Sequence, residues 1–218
     1  MLISFIVAVV GIGILLVLSE FLWRKKIIRG EYGRKIVHMT AGFYIASWPY
    51  FMDFITIQLI ALFAMLTLLI SRKFKVFHAI HDVKRRTYGE LLYPVSILII
   101  ATLASADWIF SVAVLFIALA DGMAALMGRK WGTKKYSYTI GKTNKTIVGT
   151  FAYEVFACIA LLIGLLIGGK ETLLGSPFVV FVWLPLFCSF LEAVSPYGTD
   201  NITAPVVTVM LLNVLLLR

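Results

Sequence analysis

Between Asp121 and Thr150 the chain reads DGMAALMGRKWGTKKYSYTIGKTNKTIVGT, an acid at the end of an apolar run followed by five glycines, six lysines or arginines and two Lys-Thr pairs. These residue types suit a polyphosphate. Gly122, Gly128, Gly132, Gly141 and Gly149 allow close backbone approach and N–H donation to phosphate, and Lys134, Lys135 and Lys145 offset its charge. Asp121 is a candidate Mg²⁺ ligand, and Thr146 opens a helix whose N-terminus favours anions. Gly141-Lys142-Thr143 has the form of a P-loop end, but Tyr136 stands where the first glycine of that loop belongs, so the segment is not a Walker A site. The Gly128/Gly132 spacing alone is weak, because Gly164 and Gly168 repeat it where no chemistry is expected.

Other ionisable residues interrupt apolar runs. Each charge at the centre of a spanning helix costs about 2.5 to 3.5 kcal/mol on insertion scales, so Asp121, Glu154 and Glu192 invite functional readings, with His38, Glu90 and Asp200 near the interface. Asp121 lies eight residues before Arg129 and Glu154 nine after Lys145. At helical rise both sit roughly 12 to 14 Å inside the basic edge, a depth that predicts one shared inward-facing cavity. Glu20 has Arg24 at i+4 and needs no chemistry. His78, His81 and Asp82 border a basic loop without a strong fourth ligand and are read as a solvated segment.

The elements that position these groups are membrane helices. The 218 residues are 61% hydrophobic and 14% charged, with a mean hydropathy of +0.97, too apolar for a water-soluble domain. Apolar runs at 2–23, 36–52, 54–71, 91–106, 108–128, 147–168, 177–194 and 203–217 predict an all-α, polytopic fold of eight spans, with seven as the alternative. The first run lacks the basic leader and cleavage site of a signal peptide and is read as a span. Residues 1–218 form a single domain on this reading, without repeats or linkers. Cys158 and Cys188 sit in apolar runs and imply neither disulfide nor metal cluster.

Segments 24–35, 72–90 and 129–145 hold 18 of the 20 lysines and arginines. They alternate with short turns at Asp53, Asp107 and Lys170-Glu171, so the positive-inside rule places the three basic loops in the cytoplasm and the N-terminus outside. The net charge of +9 is then one-sided and calls for no nucleic-acid partner. A short chain without added domains points to a prokaryotic cell membrane.

Asp121-Gly122, Gly128-Arg129 and Gly132, followed by Asn144-Lys145-Thr146 and Gly149-Thr150, resemble the nucleotide-site pattern of the CTP-dependent dolichol kinase and phytol kinase family, which includes diacylglycerol kinases. Two further segments are similar to the same family: Arg34-Lys35-Ile36-Val37-His38 with Gly42, and Glu192 with Asp200-Asn201. Val148 stands where dolichol kinases and related cytidylyltransferases often carry Glu, so the match is closer to the phytol kinase branch.

The resemblance implies transfer of the γ-phosphate of CTP, with a divalent cation, to the hydroxyl of a lipid alcohol; phytol, geranylgeraniol, dolichol and diacylglycerol all remain open. On this reading Asp121 binds Mg²⁺ with Glu192 or Asp200, Lys134, Lys135 and Lys145 contact phosphates, Arg129 and Thr146 belong to the nucleotide site, and His38 activates the acceptor hydroxyl. Arg34, Lys35, Glu90, Glu154 and Asn201 are further candidates. Two other readings compete. A CTP:lipid-phosphate cytidylyltransferase shares parts of the motif, but the late segment SPYGTDNITAP lacks the Lys-Asp pair those enzymes carry. An ion-coupled transporter would use buried acids too, yet predicts paired halves with broken helices rather than one basic glycine loop.

Overall fold

Among the long apolar helices of the described residues, the one that carries Asp121 is the most enclosed. In the computed structural model, which describes residues 2–74, 78–81, 87–140 and 143–217, α1 spans Leu2–Arg24, α2 Gly30–Ala46, α3 Phe54–Phe74, the short α4 His78–His81, α5 Gly89–Leu103 and α6 Asp107–Trp131. A hairpin of β1 (Ser137–Ile140) and β2 (Thr143–Thr146) follows, then α7 Ile147–Gly175, α8 Val179–Val194 and α9 Asp200–Leu216. Asp82, the basic residues Lys75, Lys84, Arg85 and Arg86, and the Gly141-Lys142 tip lie outside the described residues, as does the side chain of His81.

Each of the eight apolar runs overlaps one of α1, α2, α3 and α5 to α9. Among the described residues, α1, α3, α6 and α7 are long and apolar enough to cross a membrane; α5, α8 and α9 are shorter apolar helices. Burial sorts them. Only 11% of the apolar window of α1 is buried against 83% of that of α6, so α1 offers its apolar side chains to lipid while α6 fills the core. Buried Phe110, Val112, Val114 and Phe116 of α6 pack with Ile57 and Ile60 of α3, Ile100 of α5, Leu161 of α7 and Leu212 of α9.

Polar groups inside this bundle join helices. Ser111 Oγ donates to the Ala46 carbonyl at 2.7 Å, tying α6 to α2. Asn213 Nδ2 donates to the Leu103 carbonyl at 2.6 Å and its Oδ1 accepts from Ser105, closing the α5–α6 turn onto α9. Such bonds hold helices together where no hydrophobic force distinguishes neighbour from lipid. At the other end α2 and α6 cross closely: a Cβ on Gly122 would lie 2.4 Å from Met39, and one on Gly42 would lie 2.3 Å from the Cβ of Ala118. These two glycines bring Lys35 and Asp121 together.

The hairpin is the one element that the all-α reading lacked. Tyr138 pairs with Lys145 and Ser137 with Thr146 in antiparallel register. The Thr143 hydroxyl donates to the carbonyl of Ala193, and Tyr138 bonds Thr150, so the hairpin folds back over the ends of α7 and α8.

Candidate active site

Directly before Asp121, residues Phe116–Asp121 of α6 open into a π-helical turn. Such wide turns re-aim side chains and are frequent at functional sites. Asp121 here faces α2, and its Oδ2 forms a buried ion pair with Lys35 Nζ. From the opposite side, β2 carries Lys145, whose Nζ pairs with Glu192 Oε1 at the end of α8. Burial works against the Lys145 ammonium, but the Glu192 carboxylate beside it, with Asp200 and Asp121, more than compensates and holds its pKa above the ordinary lysine value.

Asp200, at the start of α9, completes the cluster. Carboxylate oxygens of Asp121, Glu192 and Asp200 all lie within 4.8 Å of one another. Ligands on opposite sides of an octahedral Mg²⁺ stand about 4 Å apart, so small side-chain movements bring this all-oxygen set onto such an ion. The residues present therefore fit a hard divalent cation, with Lys35 and Lys145 balancing the acids.

Around the cluster is a cavity of about 490 Å³, bounded by α2, the C-terminal half of α6, β2, the start of α7 and the turn between α8 and α9. It collects half of the candidate site residues singled out in the sequence: Lys35, Asp121, Gly128, Arg129, Lys145, Thr146, Gly149, Glu192 and Asp200. Residues not singled out there as site candidates also line it. Glu31, one turn before Lys35, binds Arg34 at 2.8 Å and faces Arg129 at 3.8 Å. Thr143 and the Ser195–Gly198 turn complete the wall. The i, i+4 step from Glu31 to Lys35 and the Pro-Tyr-Gly sequence of the turn were the available signals.

Several assignments change. The amides of Gly132 and Gly149, read as phosphate donors, are already engaged: Gly132 N–H donates to the Gly128 carbonyl at 3.0 Å and Gly149 N–H to Thr146 Oγ1 at 3.1 Å. A Cβ on Gly128 would lie 3.2 Å from the Gly149 Cα, so these glycines let α6 and α7 touch. Gly122 serves the α2 crossing rather than the cavity wall. Lys134 and Lys135 are exposed on the turn before β1 and do not line the cavity; Lys135 lies over the Tyr136 ring. Glu154 does not join Asp121, because it turns to Ser189 on α8. Asn201 is buried and donates to the Gly89 carbonyl at 2.9 Å, joining α9 to α5.

Arg34, His38 and Glu90 lie elsewhere, in an apolar groove on the other side of α2. His38 packs on the Tyr93 ring with centroids 4.1 Å apart. Arg72 approaches Glu90 at 3.6 Å.

Carboxylates and lysines around a cavity at one end of an apolar helical bundle are compatible with the class of membrane proteins that handles phosphates beside a lipid phase. The comparisons with known proteins narrow this class. The chain is 28% identical over 199 residues to a phytol kinase of Synechocystis sp., covering 89% of this chain and 83% of that protein. It is 32% identical over 136 residues to a CTP-dependent diacylglycerol kinase of Schizosaccharomyces pombe, 59% of this chain and 60% of that protein. With the chloroplastic phytol kinase 1 of Arabidopsis thaliana it shares 29% over 226 residues, 94% of this chain and 73% of that protein. These relatives support the CTP-dependent lipid kinase family to which the motifs pointed. No family model and no solved structure matches the chain.

Proposed function

We propose that this chain, acting as a single membrane domain, transfers the γ-phosphate of CTP to the hydroxyl of an isoprenoid or related lipid alcohol at the cytoplasmic face of the membrane. The observation that carries this reading is the placement of the Asp121–Glu192–Asp200 and Lys35–Lys145 cluster against α2, whose other face lines an apolar groove. The relatives supply the nucleotide and the acceptor class.

Phosphoryl transfer needs positioning and charge neutralisation more than covalent help from the protein. Lys35, Lys145 and Arg129 neutralise the triphosphate, and the N-terminus of α7, capped by Thr146, faces the same cavity. Asp121, Glu192 and Asp200 hold Mg²⁺, which when bound offsets charge on the donor phosphates. The lipid oxygen forms a bond to the γ-phosphorus while the bond from that phosphorus to the bridging oxygen breaks. CDP leaves with the electron pair, and the hydroxyl proton passes to His38.

Purified protein incubated with Mg²⁺, γ-labelled CTP or ATP, and a panel of lipid alcohols is expected to yield labelled lipid phosphate and CDP, with activity lost in EDTA. Pyrophosphate release on addition of phosphatidate, with no alcohol labelled by either nucleotide, would instead mark a cytidylyltransferase.

Eight crossings go with this function, one for each of α1 to α3 and α5 to α9, the shorter helices being completed by flanking residues. The cavity is built from the basic ends of these helices, which supports a cytoplasmic site. Single cysteines in a cysteine-free background test the sidedness: Ser105→Cys is expected to react with an impermeant reagent from outside intact cells, and Thr133→Cys only after lysis. The reverse pattern would invert the topology.

A further inference from the structure

Helix α2 is a partition with two working faces. Glu31 and Lys35, one turn apart, face the polar cavity. Arg34, His38, Ala41 and Ile45 follow at steps of three and four along another face and line the apolar groove with α1, α3 and α5. His38 is also three residues from Lys35, so its ring stands at the edge between the two spaces.

The groove is apolar for most of its length, with Thr67 and Glu90 in its wall and the unpartnered Nε1 of Trp48 at its far end; its other polar groups stand at this edge. There the Nε of Arg34 and the Nε2 of His38 are buried without a hydrogen-bond partner. Buried polar groups in native proteins are nearly all paired, so two orphans at one end of a cavity point to a ligand that supplies both bonds. Arg34 Nε–H donates. In the neutral His38 ring one nitrogen carries the proton and the other accepts, so Nε2 is an acceptor when Nδ1 holds the proton. One donor and one acceptor are what a hydroxyl requires.

From Arg34 to Trp48 the groove runs about 20 Å along α2, roughly the length of an extended sixteen-carbon chain. Its volume is about 290 Å³. At ~30 Å³ per methylene-sized unit that encloses part of one chain, whose remaining surface faces the bilayer; it does not hold two. The geometry points to the groove as the acceptor subsite, taking one hydrocarbon chain with its hydroxyl between Arg34 and His38, and so selecting single-chain isoprenoid alcohols over diacylglycerol. This rests on the lipid-alcohol kinase reading.

Gly13 and Val9 on α1 give the test. Both line the groove, and a Cβ on Gly13 would meet nothing within 4 Å, so a larger side chain there fills the groove without striking protein. Wild type, Gly13→Phe and Val9→Phe are assayed in nanodiscs with γ-labelled CTP and prenol, farnesol, geranylgeraniol or dioleoylglycerol. Gly13 lies nearer the hydroxyl end than Val9. Gly13→Phe is therefore expected to lose at least tenfold in kcat/KM for farnesol and geranylgeraniol, and Val9→Phe for geranylgeraniol alone. The loss relative to prenol is the readout in each variant, and the KM for CTP, whose site neither residue lines, stays at the wild-type value in both. Wild type is expected to prefer geranylgeraniol to dioleoylglycerol.

Unchanged chain-length dependence in both variants of an active kinase would overturn the groove and leave the kinase standing. Preference for dioleoylglycerol would overturn the single-chain assignment. Failure of wild type to label any lipid would remove the kinase reading itself, and this inference with it.

Discussion

Asp121→Asn is expected to lower the rate of CTP-dependent lipid phosphorylation by about 10³-fold, the upper range for loss of one electrostatic contact in a preorganised site. Activity alone would not distinguish a lost cation site from a damaged fold, because Asp121 also neutralises buried Lys35. Removing one partner of a buried pair typically costs about 3 to 5 kcal/mol, since the remaining charge is left uncompensated. The double variant Lys35→Met/Asp121→Asn removes both charges. Its thermal midpoint in detergent is expected to return toward the wild-type value while activity stays at background. Near-normal turnover in Asp121→Asn would remove this residue from the site; recovery of activity in the double variant would make the pair purely structural.

Lys145→Met should raise the KM for CTP by about 10²-fold, the equivalent of one charge-assisted hydrogen bond to phosphate. The same change leaves Glu192 without its ammonium partner beside Asp121 and Asp200. A divalent cation then meets less competition for that carboxylate, and the Mg²⁺ concentration giving half-maximal rate is expected to fall. A merely structural lysine would shift neither quantity in this opposed way. The pH dependence follows from the sign of the Lys145 shift. Burial alone would lower its pKa, Glu192, Asp200 and Asp121 together raise it further, and the folded value stands above that of a free lysine. Its charge is fully present at neutral pH and is lost only as pH rises through that raised value, so the KM for CTP should stay flat to about pH 10. A rise in KM between pH 7 and 9 that vanishes in Lys145→Met would contradict this.

Much of the helical frame was legible in hydropathy, because an apolar run long enough to approach a bilayer's thickness has few alternatives. Which helix faces lipid was not. α1 and α6 are both strongly apolar, and only the packed structure shows that one is peripheral and the other central. The acids and lysines of the cavity were visible as charges in costly places, but depth along a helix does not say which neighbour a side chain meets. Glu154 illustrates this, level with Asp121 by residue count and bonded to Ser189 instead. The glycines misled for a related reason: a phosphate cradle and a close helix crossing both require an absent side chain, and Gly122, Gly128 and Gly149 serve the second. The hairpin escaped notice because two strands of four residues, SYTI and TNKT, are too short for a strand pattern to register. The groove escaped because it belongs to four helices at once.

The pairing of Lys35 with Asp121 also bears on how the protein is made. α2 holds Arg34, Lys35 and His38 and is the least lipid-like of the eight candidate crossings, while α6 brings an acid into an otherwise apolar segment. A chain threaded into the bilayer from its N-terminus presents the cation first and holds it through the synthesis of α3 and α5. Only the arrival of α6 supplies the counter-ion, and Gly42 and Gly122 then permit the two helices to close. Closure of the cavity is thereby made to wait until more than half of the polypeptide is in place, so the proposed nucleotide site cannot form on a chain that stops short of α6.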